Sequence, residues 1–154
     1  MASAGVLSQI VPYKIYPLKH PSVALPGAKE TWVPILNVAI IVGHATSKRF
    51  EAVVDSGSPV CLFHAQIGKQ LGLKIESGKH DVLGGVVGGS KGDVYYHEIK
   101  LKVMADIIMI TGGFSEQLSV AAILGRHGFF ENFIVTFDPC AQPPGLLVQR
   151  VRRA

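Results

Sequence analysis

Apolar and polar residues alternate strictly along residues 98–103, with Ile99, Leu101 and Val103 on one face and charged residues on the other. This alternation predicts a strand with one buried face. Residues 32–42 are instead apolar nearly throughout, which predicts a strand buried on both faces and closed by a turn over residues 43–47. Strand is therefore the dominant structure predicted for the chain.

Two segments have apolar residues at helical rather than strand spacing. Residues 64–71 are followed by Gly72, a residue suited to helix termination. Residues 128–133 offer three phenylalanines to a core. Each segment predicts a short helix. The prolines of residues 1–31 indicate an arm and an edge strand, and a last strand is predicted over residues 146–151. The expected fold class is all-β with one or two short helices.

The length of 154 residues suits one domain with its own core, predicted over residues 32–154 and preceded by the arm of residues 1–31. No run of about eighteen apolar residues occurs, so no contact with a membrane is expected. The first charged residue is Lys14, so the N-terminus lacks the basic stretch of a cleavable signal. These features predict a cytoplasmic protein.

Charge and cysteine content narrow the set of ligands. Fifteen basic residues against eleven acidic ones give a net charge of +4, partly from the terminal Arg150, Arg152 and Arg153. Such a tail can contact nucleic acid or an acidic partner, but aromatic and basic residues are not interleaved, so a solvated end and no nucleic-acid partner are predicted. Cys61 and Cys140 make neither a disulfide framework nor a metal cluster, and no cofactor is expected. Cys61 is predicted to be buried.

Candidate chemistry lies in residues 55–58, the sequence Asp-Ser-Gly-Ser, which directly follows an apolar run. An acidic side chain after a buried strand, followed by a glycine where the backbone turns, is rarely selected by stability alone. These residue types are also ordinary turn formers, so the tetrapeptide alone also fits a loop without function. About seventy residues later a second apolar run ends in Gly125-Arg126. This pairing points to an aspartic peptidase.

The order of these elements resembles the retropepsins, the single-domain relatives of the retroviral proteases that include bacterial members. Within residues 33–138 the family's sequence of elements is a strand before the acidic residue, a short helix after it, a glycine-rich flap, and the Gly-Arg element leading into a helix. The flap comprises Gly84, Gly85, Val86, Val87, Gly88 and Gly89. The resemblance implies a retropepsin-like acid protease fold of mainly antiparallel strands, active as a homodimer.

The resemblance also implies roles for the tetrapeptide. Asp55 is the expected catalytic residue and is expected to lie at the dimer interface. The chemistry needs one carboxylate that activates water as a base and a second carboxyl that acts as an acid. Two such groups about 3 Å apart share one proton. With a single motif per chain, a two-fold axis must supply the second group. Ser56 is expected to bond across the interface, Gly57 to offer its amide to the carboxylates, and Ser58 to donate to Asp55. Both serines are also good turn residues.

Position 59 and the length of the flap depart from the family pattern, since the flap is one residue longer at its tip, and the flap also has a second interpretation. Retroviral enzymes often carry an acidic residue directly after the tetrapeptide, where it pairs with the arginine of the Gly-Arg element; Pro59 stands there, so Arg126 is predicted to lack this partner. Residues 84–91 also approximate a phosphate loop, but their lysine and hydroxyl are in the wrong order. The residues that follow favour a strand, whereas a phosphate loop opens a helix. A hairpin that closes over an extended peptide is the favoured prediction.

The function predicted from these observations is an aspartic endopeptidase that acts as a homodimer on polypeptide substrates. The alternative is a non-catalytic retropepsin-like module that dimerises or binds peptides and lacks a competent flap or dyad. Intact Asp55, Ser56 and Gly57 favour the enzyme, and Pro59 keeps the alternative open. Gly125 and Arg126 are expected to support the active site.

Overall fold

The computed structural model describes residues 9–87 and 90–152. Strands dominate, with one short α-helix, so the predicted all-β class is confirmed. The strands are β1 (Gln9–Pro12), β2 (Lys14–Pro17), β3 (Glu30–Val33), β4 (Ile35–Val42), β5 (Ala45–Thr46), β6 (Phe50–Val54), β7 (Cys61–His64), β8 (Lys79–Val87), β9 (Ser90–Val103), β10 (Asp106–Ser115), β11 (Ala122–Leu124), β12 (Phe133–Asp138) and β13 (Gly145–Arg150). The helix α1 spans Ala65–Gln70, and a 3-10 turn spans Ile75–Ser77.

The main sheet has eight strands in the order β5-β4-β6-β11-β7-β10-β9-β8, and β4 also pairs with β9. This extra pairing curls the sheet around the core. At its centre, β11 lies parallel to β6 and antiparallel to β7. The predicted strand over residues 98–103 is confirmed as part of β9, and Ile99, Leu101 and Val103 are all buried. Alternation at a period of two therefore identified the face that packs on the core.

Residues 32–42 form two strands rather than the single strand predicted. Pro34 separates β3 from β4, because proline has no amide hydrogen to donate to a ladder. Trp32 remains 49% exposed and stacks on Tyr13 with 4.4 Å between ring centroids. Beyond Pro34 the prediction is confirmed, since Val38, Ala39 and Ile40 are buried on alternate faces of β4.

The predicted helix over residues 64–71 is confirmed as α1. The His64 side chain caps it by accepting a hydrogen bond from the Gln66 amide, and Gly72 follows its end with a φ of 79°. Packing is close at Gly68, where a Cβ would lie 2.9 Å from the Ile75 side chain and 3.0 Å from the Phe114 ring. The helix therefore lies directly on the core, in contact with β7 and β10.

The second predicted helix, over residues 128–133, is wrong. This segment is a series of turns, and Gly128 at its start has a left-handed φ of 100°. Phe133 already begins β12. The apolar spacing nevertheless reflects burial, since Phe129 and Phe133 are both in the core. The Gly-Arg element is thus followed by turns and a strand.

A smaller three-stranded sheet has the order β1-β13-β12 and packs against the core. The predicted last strand, over residues 146–151, is confirmed as β13, which is the central strand of this sheet. Residues 9–17 form β1 and β2, while the boundary predicted between residues 31 and 32 stays a prediction. Arg153 lies outside the described residues. Within the described part of the chain, no helix is long and apolar enough to cross a membrane.

Candidate active site

Asp55 lies where β6 leaves the centre of the main sheet. Its amide donates to the Leu124 carbonyl of β11 at 3.0 Å, and the preceding Val54 amide donates to the Pro34 carbonyl at 2.9 Å. Val54 is buried, whereas Asp55 is exposed. The sequence achieves this because the apolar strand ends one residue before the acidic one. A carboxylate is thus presented to solvent from a rigidly held backbone.

The Asp55 carboxylate is oriented by its own loop. The Gly57 amide donates to Asp55 Oδ1 at 2.8 Å. A Cβ at position 57 would lie 3.0 Å from that same oxygen, so glycine leaves room for the contact. The contact is the one that the retropepsin resemblance implies for Gly57 within a single copy. Ser56 is exposed beside it, and its bonding across an interface stays a prediction.

Ser58 does not make the contact predicted for it. Its hydroxyl donates to the Val60 carbonyl at 2.8 Å rather than to Asp55, so the expected hydrogen bond to the carboxylate is wrong. The loop turns here, with the Ser58 amide donating to the Asp55 carbonyl at 3.2 Å. Because a serine hydroxyl has only one hydrogen to donate, its contribution is to the shape of the loop.

The Gly-Arg element runs alongside this loop and is bonded to it at successive residues. The Arg126 amide donates to the Ser58 carbonyl at 2.9 Å, and the His127 amide donates to the Pro59 carbonyl at 3.0 Å. One residue earlier, the Gly125 amide donates to the buried Cys61 sulfur at 3.4 Å. The predicted burial of Cys61 is thereby confirmed. The two motifs that are far apart in sequence form one continuous structure.

The Arg126 side chain also contacts the loop. Its Nη1 donates to the carbonyl oxygens of Ser56 at 2.9 Å and Gly57 at 3.1 Å. Among the described residues no carboxylate forms an ion pair with Arg126, in line with the proline at position 59. Two backbone carbonyls therefore hold the guanidinium where the retroviral pattern has an acidic side chain. Sequence reasoning missed this contact, because backbone acceptors leave no residue-type signal.

A cavity of about 280 Å³ opens beside Asp55. Gly57 and Ser58 form one wall, and Leu83 and Gly84 of β8 form another. Further apolar lining comes from Val60, Leu62, Leu118 and Ile123. Leu118 could not be assigned to the site from the sequence, because it lies in a loop without periodicity. An apolar side chain of a ligand would lose contact with water here while its backbone passed the carboxylate.

The predicted flap is part of an antiparallel hairpin of β8 and β9. Gly84 pairs with Lys91 and Val87 with Ser90, and the register is irregular between Gly84 and Val87. The backbone of Gly85 and Val86 lies in β8, while the predicted flap residues Gly88 and Gly89 lie outside the described residues. A strand rather than a helix follows the glycines, which removes the helix N-terminus that a phosphate loop needs. The phosphate-loop alternative is therefore wrong.

Comparison with known structures identifies the fold. A retropepsin-like aspartic protease from Rickettsia conorii aligns with 74% of this chain and 88% of its own, with a TM-score of 0.53 and 15% sequence identity. The retroviral protease-like domain of Ddi1 from Leishmania major aligns with 78% of this chain and 96% of its own, with a TM-score of 0.51 and 16% identity. Neither a protein-family model nor a curated protein matches the sequence. The chain has the retropepsin-like fold.

Proposed function

We propose that this protein is an aspartic endopeptidase that hydrolyses polypeptides as a homodimer. The observation that carries the proposal is the placement of Asp55: an exposed carboxylate, held by the Gly57 amide, at the mouth of an apolar cavity beside a glycine-rich hairpin. A polar group that served only the turn would not need a cavity beside it. The retropepsin-like fold supports this assignment.

The chemistry requires two carboxyl groups that share one proton. The ionised Asp55 takes a proton from water, which attacks the peptide carbonyl, and the protonated Asp55 of the second copy hydrogen-bonds the carbonyl oxygen. A proton then passes to the leaving nitrogen, the C–N bond breaks, and the pair again holds one proton. An extended substrate would lie between the loop and the hairpin, with an apolar side chain in the cavity.

Among the described residues, β1 and β12 are the edge strands of the three-stranded sheet, and either could pair with a second copy. The Val151 amide donates to the Asn132 carbonyl, and the Tyr13 amide donates to the Pro144 carbonyl. In an antiparallel pair, residues that bond the neighbouring strand alternate with residues whose amides point away from it. On β12 this alternation turns the amides of Val135 and Phe137 outward. On β1 it turns Ile10 and Pro12 outward.

The edge of β12 is the better suited of the two. Pro12 has no amide hydrogen, which blocks the edge of β1 against further pairing. On β12 both outward residues can donate, and Phe137 is 41% exposed although it lies on the same face as the buried Phe133. A second copy added at this edge would cover Phe137 and join the two small sheets into one. The edge of β12 is therefore our proposed dimer interface.

The test is digestion of a peptide library from acidic to neutral pH, by the wild type and by Asp55→Asn. The variant should lose hydrolysis and keep the fold, because an amide can neither accept the proton of water nor share one with its partner. Hydrolysis by Asp55→Asn within about tenfold of wild type, from protein free of contaminating protease, would contradict the mechanism. A wild type that binds peptides without cleaving them would instead favour the non-catalytic module.

A further inference from the structure

Arg126 brings a positive charge to the active-site loop, and no carboxylate among the described residues forms an ion pair with it. Nη1 of its guanidinium donates to the carbonyls of Ser56 and Gly57. Nε and Nη2 have no hydrogen-bond partner among the described residues, and the residue is exposed. The acidic side chain nearest to it along the chain, Glu131, accepts hydrogen bonds through both oxygens from His127 and Gly128.

The contacts of Nη1 fix where this charge lies. Gly57 lines the cavity, and its amide holds the Asp55 carboxylate, so the guanidinium is attached to the same short loop that carries the reacting group. An extended peptide with its scissile bond at Asp55 must pass along this loop. Successive side chains on one face of such a peptide are about 7 Å apart, so a neighbouring side chain comes within reach of a long arginine.

We propose that Arg126 binds a carboxylate of the substrate and makes the enzyme selective for an acidic residue a few positions from the cleaved bond. The inference rests on the proposed peptidase function. A planar guanidinium pairs with a carboxylate through parallel hydrogen bonds, and anchoring by two carbonyls reduces the rotational freedom lost on binding. The substrate class is then a peptide with an apolar residue for the cavity and Asp or Glu nearby.

A preference for acidic substrates runs against the charge of the catalytic pair. The shared-proton pair of Asp55 carboxyls is negative overall and repels acidic substrates. A preference for acidic peptides therefore requires a nearby positive group. Substitution of that group should do more than weaken binding, because it should bring the preference to neutrality or reverse it.

The experiment compares peptides that are identical except for Glu or Gln at each position around one cleavage site. For the wild type we expect kcat/KM to favour Glu by about tenfold at one position, the ratio typical of a charge-assisted hydrogen bond, and to favour it less at high salt. Arg126→Met should bring the ratio to one or below, and Arg126→Lys should retain part of it. Arg152→Met removes an equal charge from an exposed site and should leave the ratio unchanged.

The ratio compares each enzyme with itself, so a general loss of activity from a disturbed loop cancels. Binding of the same peptides to Asp55→Asn, followed by fluorescence anisotropy, provides a second measurement that needs no hydrolysis. Charge-selective binding without hydrolysis by the wild type would overturn the peptidase proposal and keep this one. Hydrolysis with Glu and Gln peptides equal within about twofold would overturn the role of Arg126 alone. So would a result in which Arg126→Met weakens only the dimer, because Arg126 would then pair with the second copy.

Discussion

A Cβ atom on Gly125 would lie 2.1 Å from the carbonyl oxygen of Val60. The contact is with backbone, which cannot swing aside as a flexible side chain could. Gly125 is therefore the residue that lets the Gly-Arg element approach the active-site loop closely enough for the Arg126 amide to reach the Ser58 carbonyl. The requirement for glycine follows from this approach and not from its φ angle.

Gly125→Ala should destabilise the fold by about 3 kcal/mol, the upper end of the range for overpacking, because the methyl group must push the two segments apart. Urea unfolding of the wild type and the variant measures the difference. Gly84→Ala is the matched control, since a Cβ there meets no atom within 4 Å. Its effect should stay within about 1 kcal/mol. Equal losses for both variants would show that the contact at Gly125 relaxes easily.

Ser58→Ala should cost about 1 kcal/mol of stability, the typical net value of the hydrogen bond that its hydroxyl makes with the Val60 carbonyl. Because the hydroxyl does not contact the Asp55 carboxylate, the acidic limb of the pH–activity profile should stay in place. Chemical denaturation and kcat/KM against pH provide the two measurements. A limb that moves to higher pH would show that Ser58 donates to Asp55 when substrate is bound.

Sequence predicts the parts of this protein that depend on local pattern. The alternation in residues 98–103 identified a strand of the main sheet, and the end of the apolar run identified the exposed position of Asp55. Spacing and Gly72 identified the helix α1. The same reasoning failed at residues 128–133, because the apolar spacing required for burial in a turn is the same as that of a short helix. In the structure this segment forms turns and passes directly into β12 at Phe133.

The path of the loop after Asp55 is not a local property, and the errors in the predicted site come from there. Ser58 reaches the Val60 carbonyl because of how the loop turns, which residue types alone do not specify. Arg126 finds backbone carbonyls as partners in place of the missing carboxylate. Leu118 joins the cavity from a loop without periodicity. Each contact depends on two segments meeting in space.

Burial raises the pKa of the Cys61 thiol, with opposing contributions from nearby backbone hydrogen bonds. A folded-state pKa above the unfolded value contributes stability that is present below the unfolded pKa and is lost as the pH rises through the folded one. Raising the pH from about 8 to about 10 should therefore destabilise the wild type more than Cys61→Ala. Urea unfolding at both values measures the difference, and equal slopes would contradict the assignment.

The proposed dimer interface makes a prediction about one backbone amide. Phe137→Pro removes an outward-facing donor on β12 together with the ring, whereas Phe137→Ala removes the ring alone. If a second copy adds at this edge, the dimer Kd of the proline variant should be at least about tenfold higher than that of the alanine variant. The proline variant should therefore dissociate at a correspondingly higher concentration on dilution. Sedimentation and the loss of specific activity on dilution measure both. Proline at a position whose amide faces solvent is tolerated by an edge strand, so the monomer should remain folded.

Ile10→Pro is the control for the opposite edge, because Ile10 is the outward-facing residue of β1 that can still donate. It should leave the dimer intact, since Pro12 already interrupts that edge. Excess Asp55→Asn should poison wild-type activity by forming heterodimers with one competent carboxyl group, and Phe137→Pro introduced into the Asp55→Asn chain should relieve the poisoning. A monomer with full activity would refute the shared pair of carboxyls. Dissociation caused by Ile10→Pro and not by Phe137→Pro would place the interface at β1, because the amide that bonds the second copy would then be that of Ile10.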